Sequence, residues 1–377
     1  MSENPKNDNE RYSFKAFKNS KTGKKILLGV LSVVLAVLIL FVAYIAYLLI
    51  DYHRIPDNKS LEITKNSNAV IETNVEYSAL SYNIGFAAYT PDFGFFMDGG
   101  KESRAKSKES VNKTLGGILN LVKGTDADFI MLEEVDKKAT RSHYVDQQSF
   151  LESGLKEYNS VFTVNYDSSY LFYPFTRPHG KSLAGTLTLS RFDITQSTRR
   201  SLPIEDTFMK FLDLDRCYTV SRMPVKNGKE LILYTIHLSA YTSDGTIADE
   251  QFKMLVNDMQ SEYEKGNYIV CGGDFNKDLL GDSGKYFGIP NENYTWAQPL
   301  KTEFLKDTAL SLIAPLDKDN PIPSCRNADA PYNSDQFVVT VDGFIVSDNI
   351  EIRESKVIDT GFSYSDHNPV LIKFILN

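Results

Sequence analysis

The sequence predicts an α/β sandwich of one domain preceded by a single membrane-spanning helix. Apolar runs of strand length recur from Glu76 to the end of the chain, several in adjacent pairs, with only two long stretches of helical period between them. Ahead of them, residues 26–50 form one apolar run without a charge. Neither an internal repeat nor a low-complexity tract competes with this pattern. At 377 residues, 42% hydrophobic and 24% charged, the chain has the material for a sizeable core.

The elements follow in order. Residues 1–25 carry seven Lys/Arg against three Asp/Glu, a net of +4, and read as a basic cytoplasmic leader. The 25 residues 26–50, "ILLGVLSVVLAVLILFVAYIAYLLI", read as a transmembrane helix, because they would span about 37 Å and a hydrocarbon core is about 30 Å thick. A cleaved signal peptide has a shorter apolar region of about 7–15 residues, and a small-residue cleavage site that "YLLIDYHR" lacks. Tyr44, Tyr47 and Tyr52 fit an aromatic belt at the far end of the run, and Lys21, Lys24 and Lys25 abut its near end. The positive-inside rule then puts the N-terminus in the cytoplasm and the rest of the chain outside the cell membrane, held by a signal anchor. Residues 51–75 are polar, lack a period and read as a linker; residues 76–377 form the main domain. Its strand-like runs are "YSALSYNI", "FIMLEEV", "GTLTLS", "CYTVSRMPV", "LILYTIHL", "YIVCGGDF", "VDGFIVS" and "VLIKFIL". Helices are expected at 105–123 and at 247–265, where Phe252, Leu255, Val256 and Met259 share a face.

Charge and cysteine content narrow the function. Removing the leader's +4 from the total of −8 leaves −12 for residues 51–377. A net-acidic domain is a poor general polyanion binder, since Lys and Arg supply non-specific affinity for nucleic acid. It does not oppose an enzyme that offsets local negative charge with a metal ion. Cys217, Cys271 and Cys325 are odd in number and have no paired spacing, which excludes a disulfide framework and a CxxC metal site.

Several apolar strands end in polar residues that a strand interior would not tolerate. They are Asn83, the Glu133–Glu134 pair, His237, Asp274 with Asn276, Asp342, and Asp366–His367. Burying such groups is costly unless they are paired, hydrogen-bonded or bound to metal. Alone, "GDFN" is a Gly-Asp turn; six such ends are economical if the strands converge on one pocket. Glu134 and Asp366 are hard oxygen ligands, Asn83 is a neutral one, and no thiolate is near, which suits Mg²⁺ or Mn²⁺ better than Zn²⁺. His237 and His367 are suited to donate to a phosphoryl oxygen, and the Asp of "GDFN" to hold and deprotonate a water. Together these groups describe metal-assisted hydrolysis of a phosphoester.

In order, Asn83, "LEEVD", "IHLSAY", "GGDFN", "VDGFIVS" and "SDHNPV" resemble the endonuclease/exonuclease/phosphatase superfamily. That superfamily includes deoxyribonuclease I-like nucleases, neutral sphingomyelinases and inositol-polyphosphate phosphatases. The resemblance runs from about Glu76 to Asn377, and "GTLTLSRFDI" is similar to the family's G-x-x-x-x-S-R strand at Ser190 and Arg191. It implies a deoxyribonuclease I-like fold of two packed sheets flanked by helices, with the site at one end, in a membrane-anchored, bacterial-type member. It further implies Glu134 as a metal ligand, with Asn83 and Asp366 completing the metal's surroundings. His237 would contact the scissile phosphate, Asp274 and Asn276 would orient the water and polarise the phosphate, and Asp342 would pair with His367. Whether Asp274 or the His367–Asp342 pair is the general base stays open.

Other positions are weighed beside these. Glu133 stands where the family has Gln, and strand alternation turns it to the face opposite Glu134. Arg177 and His179, just before the "GTLTLS" strand, are candidates to bind the substrate phosphate. His53 and His143 read as surface residues and Arg216 as a salt-bridge partner. The loop after Asn83 is long and aromatic, and reads as a lid, a membrane-dipping loop or a folded surface loop. The chain thus reads as a membrane-anchored, Mg²⁺-dependent phosphodiesterase or phosphatase acting on a lipid, nucleic acid or small metabolite, with no protein partner implied. The alternatives are an extracytoplasmic nuclease and, since all six strand ends are filled, less readily a non-catalytic binding module of the same fold.

Overall fold

The structure, a computed structural model, describes residues 20–240, 245–288 and 296–377. Residues 1–19 of the basic leader and Tyr241 of "IHLSAY" lie outside the described residues. The chain forms two compact units, residues 1–53 and residues 54–377. The first holds helix α1 (Lys21–Asp51), begun by Ser20, whose hydroxyl accepts from the Gly23 amide at 2.9 Å. Its apolar side chains are exposed along its length, and it is long and apolar enough to cross a membrane.

The second unit begins with β1 (Lys59–Ser60), β2 (Ile63–Thr64), β3 (Glu76–Asn83), α2 (Lys108–Thr125), β4 (Phe129–Ala139) and α3 (Gln147–Gly154). It continues through β5 (Asn159–Asp167), β6 (Ser182–Ser190), β7 (Gln196–Ser201), β8 (Cys217–Pro224), β9 (Glu230–His237) and α4 (Thr246–Glu264). Then come β10 (Tyr268–Asp274), α5 (Ser283–Phe287), β11 (Leu310–Ile313), β12 (Cys325–Arg326), β13 (Val338–Val339), β14 (Asp342–Ser347), β15 (Ile350–Val357) and β16 (Val370–Leu376). Among the described residues, one seven-stranded sheet runs β1-β7-β8-β9-β10-β14-β11 and the other β15-β16-β3-β4-β6-β5-β2. The fold is the expected α/β sandwich.

Strand alternation builds its layers. Phe129 and Met131 of β4 face the other sheet and pack with Leu233, Val270 and Phe344. Ile130 and Leu132 turn the other way, onto Val111, Leu115 and Ile118 of α2. Across the sandwich, Ile232, Tyr234 and Ile269 turn outward onto Phe252, Leu255 and Met259, the stripe read from the sequence of α4. Each fully buried Leu, Ile or Phe contributes about 1.5–3 kcal/mol. Close approach of the sheets requires Gly272, where a Cβ would lie 2.7 Å from Met131 Cε and 2.8 Å from the Phe344 ring.

Strands β5, β7 and β15 were not singled out from the sequence. For β7 the reason is chemical: its inward residues are Ser197 and Arg199, both buried. Ser197 pairs with the Ser221 hydroxyl at 3.0 Å, and Arg199 donates to the carbonyls of Val164 and Asp215. A strand that packs through hydrogen bonds carries no apolar alternation. The pairings also fix polarity. β3 runs parallel to β4 and β9 parallel to β10, whereas β14 and β16 are antiparallel to β10 and β3. Of these six strands four therefore finish, and two begin, at the same end of the sandwich.

Candidate active site

Register delivers the polar groups. Asp274 pairs with His237 on one side and with Asp342 on the other, at the ends of β10, β9 and β14. On the facing sheet Asn83 pairs with Glu133. Asp366 and His367 precede β16, where the Asp366 carbonyl accepts from the Arg326 amide at 2.9 Å.

Asp274 is the centre of the group. Its Oδ1 accepts from the Asn276 amide at 2.7 Å and its Oδ2 from Asn83 Nδ2 at 3.2 Å. His237 Nε2 and His367 Nε2 stand 3.7 and 3.8 Å from that same Oδ2. His367 Nδ1 donates to Asp342 Oδ2 at 2.8 Å, and the Ser324 hydroxyl donates to the same oxygen at 2.7 Å. Burial favours a neutral His367, but the Asp342 carboxylate outweighs it and holds this imidazole well above the usual histidine range. His237 behaves oppositely: burial first, then the charges of Arg216 and His367, push it well below that range. Burial raises the Asp274 carboxyl, charged His367 lowers it and Asp342 raises it again, leaving it at about 7.

A second group sits on β4. The ladder to β6 skips from Leu132 to Val135, and Glu134 takes a φ of +55°. The bulge turns Glu134 toward Asn83, whereas Glu133 keeps the inward direction of Phe129 and Met131. That face is the one the buried group occupies: Glu133 is fully buried, accepts from the Ser81 hydroxyl at 3.2 Å and lies in the field of Asp342, Asp274 and His367. Glu134, its side chain 23% exposed, faces Arg141 Nη1 at 3.8 Å and Asn83 Nδ2 at 3.5 Å. Burial raises its carboxyl, Arg141 opposes that, and the Asp366 charge adds to it. Arg141 is gripped by Asp136 at 2.9 Å and lies 4.1 Å above the Phe86 ring.

The remaining sequence candidates fall into place around this core. Asn276 Nδ2 donates to the Leu238 carbonyl at 2.9 Å, behind His237. Arg216 is more than a salt-bridge partner: besides Asp213 at 3.1 Å it donates to the Leu238 carbonyl at 2.9 Å, bracing the strand end. Arg177 and His179 do not touch the Asp274 group. Arg177 is exposed and donates to the Ala105 carbonyl at 2.7 Å. His179 is buried against Phe95 and Phe96 with Nδ1 2.9 Å from the Ser103 carbonyl, and burial and Arg141 push it down to about 4. The loop after Asn83 folds as a buried aromatic cluster of Phe86, Tyr89, Phe93 and Phe95.

The donor set fits a divalent cation. The carboxyls of Glu133, Glu134, Asp274, Asp342 and Asp366 meet here opposite Arg141 and a cationic His367; crowding and burial push those of Glu133, Glu134 and Asp274 upward, which a bound cation would relieve. Glu133 Oε2, Asp342 Oδ1 and His237 Nδ1 are buried without a hydrogen-bond partner among the described residues. Ligand atoms of Asp274, Asp342 and His367 lie within 4.8 Å of one another, near enough to share one ion. The Glu134–Asp366 side suits a hard cation better, since no imidazole occupies its oxygens. Asn83 Oδ1 accepts from the Gly85 amide at 3.0 Å, which leaves a second lone pair, and its Nδ2 faces Glu134 and Asp274 at 3.5 and 3.2 Å.

Two facing sheets whose strand ends bring Asp, Glu, Asn and His into one cluster define an α/β-sandwich fold with a polar site at one end. A family model described as the Endonuclease/Exonuclease/phosphatase family matches residues 80–367, and the chain belongs to that family of phosphoester hydrolases. No curated protein matches the sequence. Among solved structures, the endonuclease/exonuclease/phosphatase from Beutenbergia cavernae aligns with a TM-score of 0.55 at 17% identity, over 80% of this chain and 72% of that one. ANGEL2, a 2′,3′-cyclic phosphatase solved with adenosine-2′,3′-vanadate, aligns with a TM-score of 0.54 at 18% identity, over 84% and 98% of the two chains. The human Nocturnin catalytic domain, solved with a sulfate anion, gives a TM-score of 0.52 at 16% identity, over 84% and 97%. At these identities the likeness is one of fold.

Proposed function

We propose that the chain is a membrane-anchored, extracytoplasmic phosphoester hydrolase dependent on Mg²⁺ or Mn²⁺, with residues 1–25 cytoplasmic, 26–50 in the membrane and 76–377 catalytic. The observation that carries this is the Asp274 carboxylate set between two imidazoles of opposite protonation, one of them backed by Asp342.

Glu134 and Asp366, with Asn83 beside them, would hold the ion, which when bound supplies Lewis-acid stabilisation of charge on the phosphoryl oxygens. The chain's own residues do the rest. Asp274 accepts the proton of the attacking water at Oδ2, the oxygen that faces both imidazoles and carries the longer of its two hydrogen bonds. As the water oxygen attacks phosphorus in line with the departing ester oxygen, cationic His367 aims Nε2–H at the phosphoryl oxygen where charge develops. Asp342 fixes the ring by accepting from Nδ1. Neutral His237 supplies a second N–H, and Arg141 steadies Glu134.

The test is turnover of bis(p-nitrophenyl) phosphate by the detergent-solubilised full chain, with DNA and phospholipid arms to sort the substrate class. Turnover is expected only with Mg²⁺ or Mn²⁺; EDTA should abolish it, and His367→Ala should lower it by about 10²–10⁴. A folded chain that binds phosphoesters but hydrolyses none would overturn the proposal. The nuclease alternative needs a basic track, which the −12 of residues 51–377 disfavours.

A further inference from the structure

The loop between β5 and β6 shows a cost that the site does not explain. Phe172, Tyr173 and Phe175 are 49%, 61% and 85% exposed, and neighbouring Met97 is 50% exposed. Soluble surfaces rarely carry such a run of large apolar side chains unless something covers it. The loop is braced. Leu171 and Gly180 exchange backbone hydrogen bonds at 3.1 and 3.0 Å, and the side chains of Ser103 and Arg104 donate to the carbonyls of Arg177 and Pro178. Ring contacts tie its tip inward, from Phe175 to Tyr173 at 5.9 Å, to Phe96 at 5.8 Å and to His179 at 5.9 Å. A braced stalk thus presents an apolar tip.

We propose that this aromatic tip docks on the surface of a lipid bilayer and holds the active site against it. Three further observations choose that occupant. First, residues 170–181 carry Arg177 and Lys181 and no acid, a net of +2 within a region of −12, which suits phosphate headgroups beneath inserted rings. Second, the loop lies at the site end: the start of β6 pairs with the far part of β4, Ser182 with Ala139 and Gly185 with Val135, just beyond Glu134.

Third, the chain enters the large unit at that same end. Asp215 accepts from Arg54 Nε at 2.8 Å and from the Ile55 amide at 2.7 Å, and the next residue, Arg216, holds the Leu238 carbonyl behind His237. Arg54 follows the last residue of the apolar helix, Asp51, by three residues, at most about 10 Å of extended chain. Stacking on nucleobases is the competing use of exposed rings. Tyr173 and Phe175 stand edge to face at 86°, which offers no parallel slot for a base.

The inference rests on the membrane-anchored reading above, and its test is separate from catalysis. The full chain carrying Phe175→Trp is placed in nanodiscs of phosphatidylcholine and phosphatidylglycerol with brominated acyl chains. Lys226→Trp, on the β8–β9 hairpin at the opposite end, is the reference, and the parent chain with its single Trp296 gives the background. Docking predicts a blue shift and quenching several-fold stronger for Phe175→Trp than for Lys226→Trp. Equal or absent quenching at the two positions overturns it. So does quenching of the Phe175→Trp indole by a single-stranded oligonucleotide where brominated lipid has no effect. Met97→Trp repeats the measurement if the first variant does not fold. Magnesium-dependent hydrolysis of bis(p-nitrophenyl) phosphate is read independently, so either proposal can fail alone.

Discussion

Two acidic groups meet at the strand ends, and they differ in what satisfies them. Asp274 and Asp342 are buried and held from within the protein, by Asn276, Asn83, Ser324 and His367. Glu134 and Asp366 are partly exposed, and the nearest cation to Glu134, Arg141, stands at 3.8 Å, beyond hydrogen-bond distance. A carboxylate already fixed by N–H and O–H donors is set to move a proton. One held only by longer bonds, from Asn83 at 3.5 Å or the Ser365 hydroxyl at 3.2 Å, beside a like charge is set to receive a cation. Chemistry and metal binding are therefore assigned to different halves of one cluster, joined by the Asn83 amide.

Variants should separate the halves. His367→Ala strikes the buried half, and kcat should fall by about 10²–10⁴ while the Mg²⁺ concentration for half-activity stays put. Equal loss of metal affinity in a magnesium titration would break the division. Glu134→Gln strikes the open half, and the Mg²⁺ needed for half-activity should rise at least ~10–100-fold. Saturating metal should stabilise the parent chain by about 2.7 kcal/mol at a hundred times its Kd, read as a higher Tm, and Glu134→Gln should lose most of that gain. Arg141→Gln should weaken metal affinity by about tenfold through Glu134 and, by stripping buried Asp136 of its partner, also lower the melting temperature. Smallest is Thr188→Val, which removes the buried inter-sheet bond from Thr188 to Thr235 at 2.7 Å and should cost about 1 kcal/mol in denaturant melts without touching metal affinity.

Much of this was legible in the chain because strand ends are local signals. Asn83, His237, Asp274 and Asp342 each close or open an apolar run, and the structure gathers them as expected. The sandwich itself follows from runs such as "FIMLEEV" and "LILYTIHL", whose alternation maps onto its layers. What was not legible depends on tertiary geometry. Alternation turns Glu133 inward with Met131, but that this face carries the Asp274 group depends on the other sheet, and the bulge at Glu134 is set by the pairing with β6. Arg141 and Ser324 carry no motif of their own. They matter through Glu134, Asp136 and Asp342, contacts that exist only once the chain has folded. The Gly85 amide that orients the Asn83 side chain is likewise a contact of the folded chain and has no signal in the sequence. "LEEVD" held the one overlooked hint, a third acid two residues past Glu134 that needs a cation of its own.

Direct binding of Mn²⁺ to the full chain, followed by the loss of its free-ion EPR signal, tests the division of labour most directly. Mn²⁺ should bind the parent chain and His367→Ala with the same affinity and be displaced by Mg²⁺, while Glu134→Gln should bind at least tenfold more weakly. If His367→Ala loses the ion and Glu134→Gln keeps it, the cation belongs to the buried Asp274–Asp342–His367 group, and the two halves have been assigned the wrong way round.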